Sequence, residues 1–263
     1  MRPPAAPEGA AVLVELAIGM VVVGAVLVLG TLLSGTRPSE PVPDLEGYYD
    51  RWRDLHGGHD PRASVWVRGW LRLTYRLSRP LAVLGVKPDL LTLWTVWISA
   101  LALIPAAIGG PWAILAGLIV VLSAVGDTLD GAVAALTDRA TRFGYVLDSL
   151  VDRVNEVLFL GAVVLVGGLP VLAVIAGGLF LLHDYLRARA AGAGAGEVAT
   201  VTLGERANRV IILALSLGLA GAVPMLQATI ATLGLAIMIL LMAAGLGQLL
   251  VAIRALLTTH DAT

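Results

Sequence analysis

The sequence contains no cysteine and few charged side chains. Only 14% of its 263 residues are Asp, Glu, Lys or Arg, and the formal net charge at pH 7 is -1. Without cysteine the chain has neither a disulfide framework nor a thiolate-bound metal, so any metal must be held by oxygen or imidazole ligands. The near-zero net charge offers no electrostatic footprint for nucleic acid, and we expect no nucleic-acid partner.

Apolar residues dominate the composition instead. They make up 58% of the chain and form long runs of Leu, Val, Ala and Ile, which is typical of a protein dissolved in lipid. A bilayer core roughly 30 Å thick requires about 20 apolar residues in a helix. Seven segments approach that length: 11–33, 90–108, 112–134, 145–167, 169–189, 208–223 and 227–250. We therefore predict an all-α, multi-pass membrane helical bundle.

The positions of the basic residues predict the orientation of this bundle. The connections at 109–112, 167–170 and 221–226 contain no Lys or Arg. The opposite ends of the helices carry Arg139, Arg142, Arg153, Arg187, Arg189, Arg206, Arg209 and Arg254. Because cytoplasmic connections are enriched in Lys and Arg, we expect these ends to lie at the cytoplasmic face of the cell membrane.

The chain between the first and second predicted spans has a different character. Residues 34–63 are polar and rich in Pro and Gly, which indicates a cytoplasmic linker with one short helix around EGYYDRWRDL. In SVWVRGWLRLTYRLSRP, residues 64–80, apolar side chains and arginines form separate stripes, typical of a helix lying among the headgroups of membrane lipids. The predicted domains are an extra N-terminal transmembrane helix (1–33), the linker (34–63), a membrane domain (64–256) and a C-terminal tail (257–263).

Four aspartates interrupt the apolar runs within GDTLDGAVAALTDRATRFGYVLDSLVDR, residues 126–153. They are Asp127, Asp130, Asp148 and Asp152. A charged carboxylate at the centre of a transmembrane helix costs roughly 2.5–3.5 kcal/mol, so these side chains cannot face lipid. Asp127 and Asp130 are three residues apart, and Asp148 and Asp152 are four apart, so each pair projects from one face of its helix. Since the joining loop is short, the two helices are antiparallel neighbours, and we predict that divalent cations bind between all four carboxylates.

Small residues accompany the aspartates. Gly126, Gly131, Ala134 and Ala135 leave the first helix thin, and Gly144 does the same in the second helix, one turn before Asp148. A thin surface allows a phosphate or another backbone to approach closely. Small residues are also ordinary packing surfaces between membrane helices, and this chain has 30 glycines. Both interpretations remain open from the residues alone.

The spacing of these residues resembles a family signature. The pattern is Asp127-x2-Asp130-Gly131-x2-Ala134-Ala135-x8-Gly144-x3-Asp148-x3-Asp152. It is similar to the signature of the CDP-alcohol phosphatidyltransferase family, in which an arginine occupies the position of Ala135. The resemblance covers about residues 64–256, because the family also has an interfacial amphipathic helix followed by six spans. It therefore implies a six-helix core to which this chain adds one N-terminal helix.

The resemblance implies a transferase of phospholipid synthesis. Such an enzyme moves the phosphatidyl group of CDP-diacylglycerol to a hydroxyl of an alcohol acceptor and releases CMP, and the family commonly forms homodimers. By this resemblance the four aspartates would hold two divalent ions, either Mg²⁺ or Mn²⁺. Asp152 would also be the base that takes the hydroxyl proton. Gly131, Ala134 and Gly144 correspond to positions against which the family packs the nucleotide.

The alanine at position 135 is the one departure from the signature. The family's arginine helps at the nucleotide end of the donor, which an alanine cannot do. We expect Arg139, one turn further along, or Arg142 to take its place. If neither arginine takes its place, the alternatives are that the enzyme uses a different donor or that it is a poor enzyme.

A second region carries a resemblance that concerns the acceptor. Residues 183–212, HDYLRARAAGAGAGEVATVTLGERANRVII, look like the part of bacterial phosphatidylinositol-phosphate synthases in which basic residues bind the acceptor's phosphate. The matching positions are Arg187, Arg206 and Arg209, and the acceptor implied is a polyol phosphate such as inositol phosphate or glycerol phosphate. Arginine suits phosphate because its planar fork donates two hydrogen bonds to two oxygens. The bias of basic residues toward the cytoplasm also predicts arginines here.

Two other functions would use the same acidic residues. A cation- or proton-coupled transporter also places carboxylates within the membrane, but it would spread them over the membrane depth and show an inverted repeat, and neither is visible in the sequence. An inactive family member that only binds nucleotide would account for Ala135. Outside the cluster, we expect Glu156 to form a salt bridge with Arg153 or another helix, and His183 and Asp184 to border the cavity or meet interfacial water.

Overall fold

The computed structural model describes residues 8–36, 38, 40–55, 57–195 and 200–260. Within these ranges the ordered elements are all helical, with no strand, which confirms the all-α prediction. Residues 1–7 of the predicted N-terminal domain and 261–263 of the predicted tail lie outside the described residues.

Ten α-helices make up the described chain. They are α1 (Glu8–Ser34), α2 (Leu45–Leu55), α3 (Val65–Leu84), α4 (Pro88–Leu101), α5 (Leu103–Ile108), α6 (Trp112–Thr137), α7 (Arg142–Leu165), α8 (Pro170–Ala190), α9 (Arg206–Ala222) and α10 (Gln227–His260). Short 3₁₀ turns at Pro61–Ala63 and Pro224–Leu226 precede α3 and α10, and a π-helical turn at Ala191–Ala195 follows α8.

Among the described residues, four helical stretches are long and apolar enough to cross a membrane. They are Pro88–Ile108, Trp112–Thr137, Pro170–Ala195 and Pro224–Thr258. The other predicted spans differ for identifiable reasons: α9 has only 17 residues, and the first half of α7 carries several charged side chains. The described apolar part of α1, Ile18–Ser34, is also short. The chain is a multi-pass helical membrane protein.

Contacts divide the chain into two compact units. The first contains Met1–Ile98 and Leu122–Asp152, and the second contains Ser99–Val121 and Arg153–Thr263. In the second unit, close backbone approaches occur at glycines: a Cβ added at Gly221 would overlap the backbone of Ile114, and one at Gly245 would overlap that of Gly204. Such close packing through small residues is common inside a bilayer, where no hydrophobic effect drives helices together.

The predicted amphipathic helix is α3, in the first unit. The Ser64 side chain caps its N-terminus by accepting a hydrogen bond from the Val67 N–H, and Gly85, in the left-handed conformation at φ 76°, ends it. One face of α3 is buried, whereas Trp66 on another face is 89% exposed. This asymmetry suits a helix that lies at the membrane surface.

The short helix predicted around EGYYDRWRDL is α2, and it is packed against other helices. Tyr48 and Tyr49 are each only 2% exposed. They belong to a buried cluster with residues of α3 and of the last turns of α6: Leu71, Ala82, Ala132, Val133, Ala135 and Leu136. The Pro- and Gly-rich composition of 34–63 did not indicate this packing.

Candidate active site

Three of the predicted metal ligands converge. Asp127 on α6 and Asp148 and Asp152 on α7 each place a carboxylate oxygen within 4.8 Å of the others, and all three are half-buried. The turn between the helices is tight: Asp138 adopts a positive φ of 55°, and the Gly144 N–H donates to Thr141 Oγ1 at 2.9 Å at the start of α7. This turn brings α7 back beside α6.

Asp130, the fourth predicted ligand, lies outside that group of three. It is 7% exposed, and its Oδ2 accepts a hydrogen bond of 2.6 Å from Thr92 Oγ1 on α4. The Gly131 N–H also donates to Asp130 Oδ1. Oxygen-only carboxylate ligands are what hard divalent ions such as Mg²⁺ and Mn²⁺ prefer, so the residues present fit such ions.

A cavity of about 760 Å³ lies in the same unit as these aspartates, and Asp130 and Asp148 form part of its wall. The residues predicted to contact the nucleotide all line it as well: Gly131, Ala134, Arg139 and Gly144. A Cβ added at Gly131 would meet nothing within 4 Å, which shows that this side of α6 is open. The structure therefore brings together the predicted nucleotide residues and part of the acidic group.

Aromatic side chains that sequence reasoning missed complete the cavity wall. They are Tyr48 and Trp52 of α2 and Trp66 and Trp70 of α3, together with the exposed Tyr145 of α7. Burial raises the pKa of Tyr48 to about 12, with a further contribution from Tyr49. The four-residue spacing of Tyr48 and Trp52 on one helix face was the available signal.

Arg139 and Arg142 were the two expected substitutes for the family's arginine. Arg139 lines the cavity, and its Nη2 donates to the carbonyl of Thr36 at 2.9 Å. Its Nη1 is buried and has no hydrogen-bond partner among the described residues. Arg142 is exposed and does not belong to the cavity wall. A buried guanidinium nitrogen without an acceptor is suited to bind an anionic oxygen.

The predicted acceptor-binding arginines lie in the second unit. Arg187 Nη2 pairs with Glu205 at 2.6 Å and also donates to the carbonyl of Thr200 at 3.3 Å. Arg206 is half-buried at the start of α9. These two side chains retain some exposure, as an anion site requires.

Arg209 is engaged inside the protein. It is 1% exposed, and its Nη1 lies 2.9 Å from Glu156 and 2.8 Å from Asp184. Its guanidinium also lies 4.9 Å from the centre of the Phe180 ring. Glu156 additionally pairs with Arg153 at 3.0 Å, which confirms its predicted salt bridge. Arg209 thus ties α7, α8 and α9 together within the second unit.

His183 does not reach interfacial water, contrary to one of the two expectations for it. The side chain is fully buried, and its Nε2 lies 2.9 Å from Thr202 Oγ1. Its neighbour Asp184 pairs with Arg153 and Arg209. The two residues belong to the internal polar network of α8 and α9, because a buried polar group needs partners.

Comparisons with known proteins show which family the sequence matches. Residues 86–260 match the model of the family described as CDP-alcohol phosphatidyltransferase. An archaetidylinositol phosphate synthase of Pyrococcus horikoshii is 36% identical over 141 residues, which are 52% of this chain and 72% of that protein. One from Aeropyrum pernix is 39% identical over 106 residues, 38% of this chain and only 53% of that protein.

Solved structures are similar over a larger share of the chain. A crystal structure of Mycobacterium tuberculosis phosphatidylinositol phosphate synthase with CDP-DAG bound has a TM-score of 0.58 and 24% identity, and the match covers 69% of this chain and 94% of that one. Another of the same protein, in complex with manganese and citrate, has a TM-score of 0.57 and 25% identity over 69% and 88% of the two chains.

Proposed function

We propose a specific reaction for this chain, which belongs to the CDP-alcohol phosphatidyltransferase family and is a membrane transferase of phospholipid biosynthesis. The reaction transfers the phosphatidyl group of CDP-diacylglycerol to a hydroxyl of a polyol phosphate and releases CMP. The observation that carries it is the convergence of Asp127, Asp148 and Asp152 within 4.8 Å, since Asp148 also lines a cavity with Arg139, whose Nη1 has no acceptor in the described ranges.

The proposed cofactor is a pair of divalent ions, Mg²⁺ or Mn²⁺. When bound, such ions neutralise the diphosphate oxygens and the charge that develops on the departing CMP. Asp127, Asp148 and Asp152 supply the converging oxygens, and Asp130 supplies another carboxylate whose orientation is fixed by Thr92. The manganese in the structure of the mycobacterial relative supports the use of a divalent metal.

The proposed chemistry needs one proton acceptor. The hydroxyl oxygen of the acceptor bonds to the phosphorus of the phosphatidyl group, and the bond from that phosphorus to the CMP oxygen breaks, so CMP leaves with the electron pair. Asp152 takes the hydroxyl proton. A half-buried carboxylate beside the other two acidic residues is suited to this role, because it lies at the metal site and remains accessible to a hydroxyl.

The donor's nucleotide would lie against the open side of α6. Gly131, Ala134 and Gly144 leave space for it, and Arg139 offers its buried Nη1 to a phosphate oxygen. In this proposal Arg139 is the repositioned arginine that replaces the one absent at Ala135. Its guanidinium supplies a charge-assisted hydrogen bond, which is stronger than a neutral one.

The proposed acceptor is inositol phosphate. The relatives from Pyrococcus and Mycobacterium are both named as inositol phosphate lipid synthases, which supports this choice. Arg187 and Arg206 are the proposed phosphate contacts. Arg209, whose donors are occupied by Glu156 and Asp184, would hold α9 in position for them.

The remaining features of the proposal concern the whole protein. We place it in the cell membrane with its active site at the cytoplasmic face, where the arginine-rich helix ends lie. The proposed domain boundaries follow residues 33, 63 and 256. We also propose a homodimer, by the resemblance to the family. Cross-linking of the detergent-solubilised protein, followed by denaturing electrophoresis, tests the dimer: a band at monomer size alone refutes it.

The reaction is tested with the purified full-length protein, CDP-diacylglycerol and Mg²⁺. CMP release is measured with inositol phosphate, inositol, glycerol phosphate or no acceptor. We expect release with inositol phosphate, none after chelation of divalent ions, and a loss of at least about 100-fold for Asp152→Asn because a positioned base contributes roughly 10²–10⁴-fold.

The matched control is Asp138→Asn. It makes the same chemical change at an exposed residue of the loop that joins the two site helices, and asparagine tolerates its positive φ. This variant should keep wild-type activity. Undiminished CMP release by Asp152→Asn would remove the proposed base, and absence of release with every acceptor would refute the proposed reaction.

A further inference from the structure

α2 lies outside the residues that match the family, and yet it forms part of the cavity wall. The family match begins at residue 86, whereas α2 spans Leu45–Leu55. Tyr48 and Trp52 of α2 line the same cavity as Gly131 and Arg139. The resemblance to the family therefore does not account for one side of the proposed donor site.

Specific contacts hold α2 in this position. Arg51 Nη1 donates to the carbonyls of Ala135 at 2.9 Å and Leu136 at 3.1 Å, in the last turn of α6. Carbonyls at a helix C-terminus lack intrahelical donors, and a cation there interacts favourably with the helix dipole. On the other side, Tyr49 Oη donates to the carbonyl of Arg68 on α3 at 3.3 Å. α2 is thus docked against both α3 and α6.

This docking gives a physical reason for the alanine at the departing position of the family signature. Ala135 is 7% exposed, in the same buried cluster as Tyr48 and Tyr49. Ala135 also borders the cavity, so the long side chain of an arginine at 135 would have to pass between this cluster and the cavity that α2 lines. Its guanidinium would also be close to Arg51, which already binds the carbonyl of residue 135. The small side chain at 135 is therefore compatible with the docked position of α2.

The composition of α2 indicates which part of the donor it meets. Five of its 11 residues are charged, so it cannot lie in hydrocarbon. The polar end of a CDP-lipid is its nucleotide, and the face of a tryptophan ring can stack on any base. The side of the cavity formed by α2 thus suits the base and not the acyl chains.

We infer that Trp52 of α2 stacks on the cytosine base of the CDP-lipid, and that α2 in this way adds a contact to the base beside the phosphate contact proposed for Arg139. Trp52 is a specificity-determining residue for the donor, and Tyr48 completes the same wall. This inference rests on the proposed function, which supplies a donor that carries the base.

The test measures binding and not turnover. The purified full-length protein in detergent with Mn²⁺ is titrated with CDP and, separately, with pyrophosphate, which has no base. Trp52→Leu keeps an apolar side chain but removes the aromatic face. We expect it to weaken CDP binding by about 10-fold or more, as loss of one stacked base does, with pyrophosphate binding changed less than about twofold. Trp52→Phe should retain most of the CDP affinity.

The control is Trp112→Leu, at the exposed start of α6 and not part of the cavity wall, which should bind both ligands as the wild type does. Equal CDP affinity of Trp52→Leu and wild type overturns the inference. An equal loss of CDP and pyrophosphate binding also overturns it, because the effect would then lie in the fold or the phosphate site. If the wild type releases CMP from CDP-diacylglycerol in either case, the proposed function still stands.

Discussion

Replacing Asp148 by asparagine should stabilise the metal-free protein and remove most of its response to divalent ions. The substitution is nearly isosteric and changes one carboxylate of the three that converge with Asp127 and Asp152. Two opposite effects on stability are therefore expected from one change, depending only on whether metal is present. A residue with a purely structural role would not show this reversal.

The magnitude follows from the spacing of the carboxylates. Two unit charges separated by the 4.8 Å that bounds these oxygens repel by about 3.5 kcal/mol at an effective dielectric constant near 20. Three such pairs exist in the wild type and one in the variant, so about 7 kcal/mol of unscreened repulsion is removed. Because the groups are half-buried and are screened by water and salt, we expect about 1–2 kcal/mol, a rise of a few degrees in Tm.

The assay is thermal unfolding of the detergent-solubilised protein, with chelator or with saturating Mn²⁺. A ligand at 100 times its Kd stabilises the wild type by about 2.7 kcal/mol, and the variant should lose most of this shift. Asp138→Asn, the exposed control, should behave as the wild type in both conditions. A lower metal-free Tm for Asp148→Asn together with an undiminished Mn²⁺ shift would refute the electrostatic reasoning.

Two further substitutions test the packing of α2 against α6 and the buried ion pairs of Arg209. Ala135→Arg should undock α2, because a bulky cation enters the cluster that holds Tyr48; we expect a lower Tm and weaker CDP binding, and wild-type values in both measurements would contradict this. Glu156→Gln leaves Arg209 buried with one acceptor charge fewer, which should destabilise the protein by about 3–5 kcal/mol. Denaturant or thermal unfolding measures this loss, and a change below about 1 kcal/mol would show that Asp184 alone compensates Arg209.

The spacing of the aspartates predicted most of the acidic cluster but not the position of Asp130. Residues on a helix are rotated by about 100° each, so a separation of four leaves Asp148 and Asp152 roughly 40° apart, whereas a separation of three turns Asp130 roughly 60° from Asp127. That rotation takes Asp130 to Thr92 on α4. The sequence does not reveal which helix lies on that side, so this hydrogen bond could not be predicted.

The role of Arg209 shows a second limit of the sequence. The resemblance placed a phosphate contact there, but two acidic residues from earlier helices, Glu156 and Asp184, lie within 3 Å of its guanidinium. Intramembrane acidic residues need partners, and the sequence did indicate a salt bridge for Glu156. The partner's identity depends on how three helices pack, which periodicity along a single helix does not specify.

In the proposed donor site, the arginines at the end of α6 offset the loss of the family's arginine. The C-terminus of a helix carries about half a negative charge, which by itself would repel a diphosphate nearby. Here Arg51 binds the carbonyls of the last turn, and Arg139 follows the helix with a buried Nη1 that has no acceptor within the described part of the chain. One guanidinium offsets the helix dipole while the other remains available for a phosphate oxygen. Positive charge at this end of α6 is therefore maintained by residues that the family signature does not include, and one of them comes from a helix that the signature does not cover.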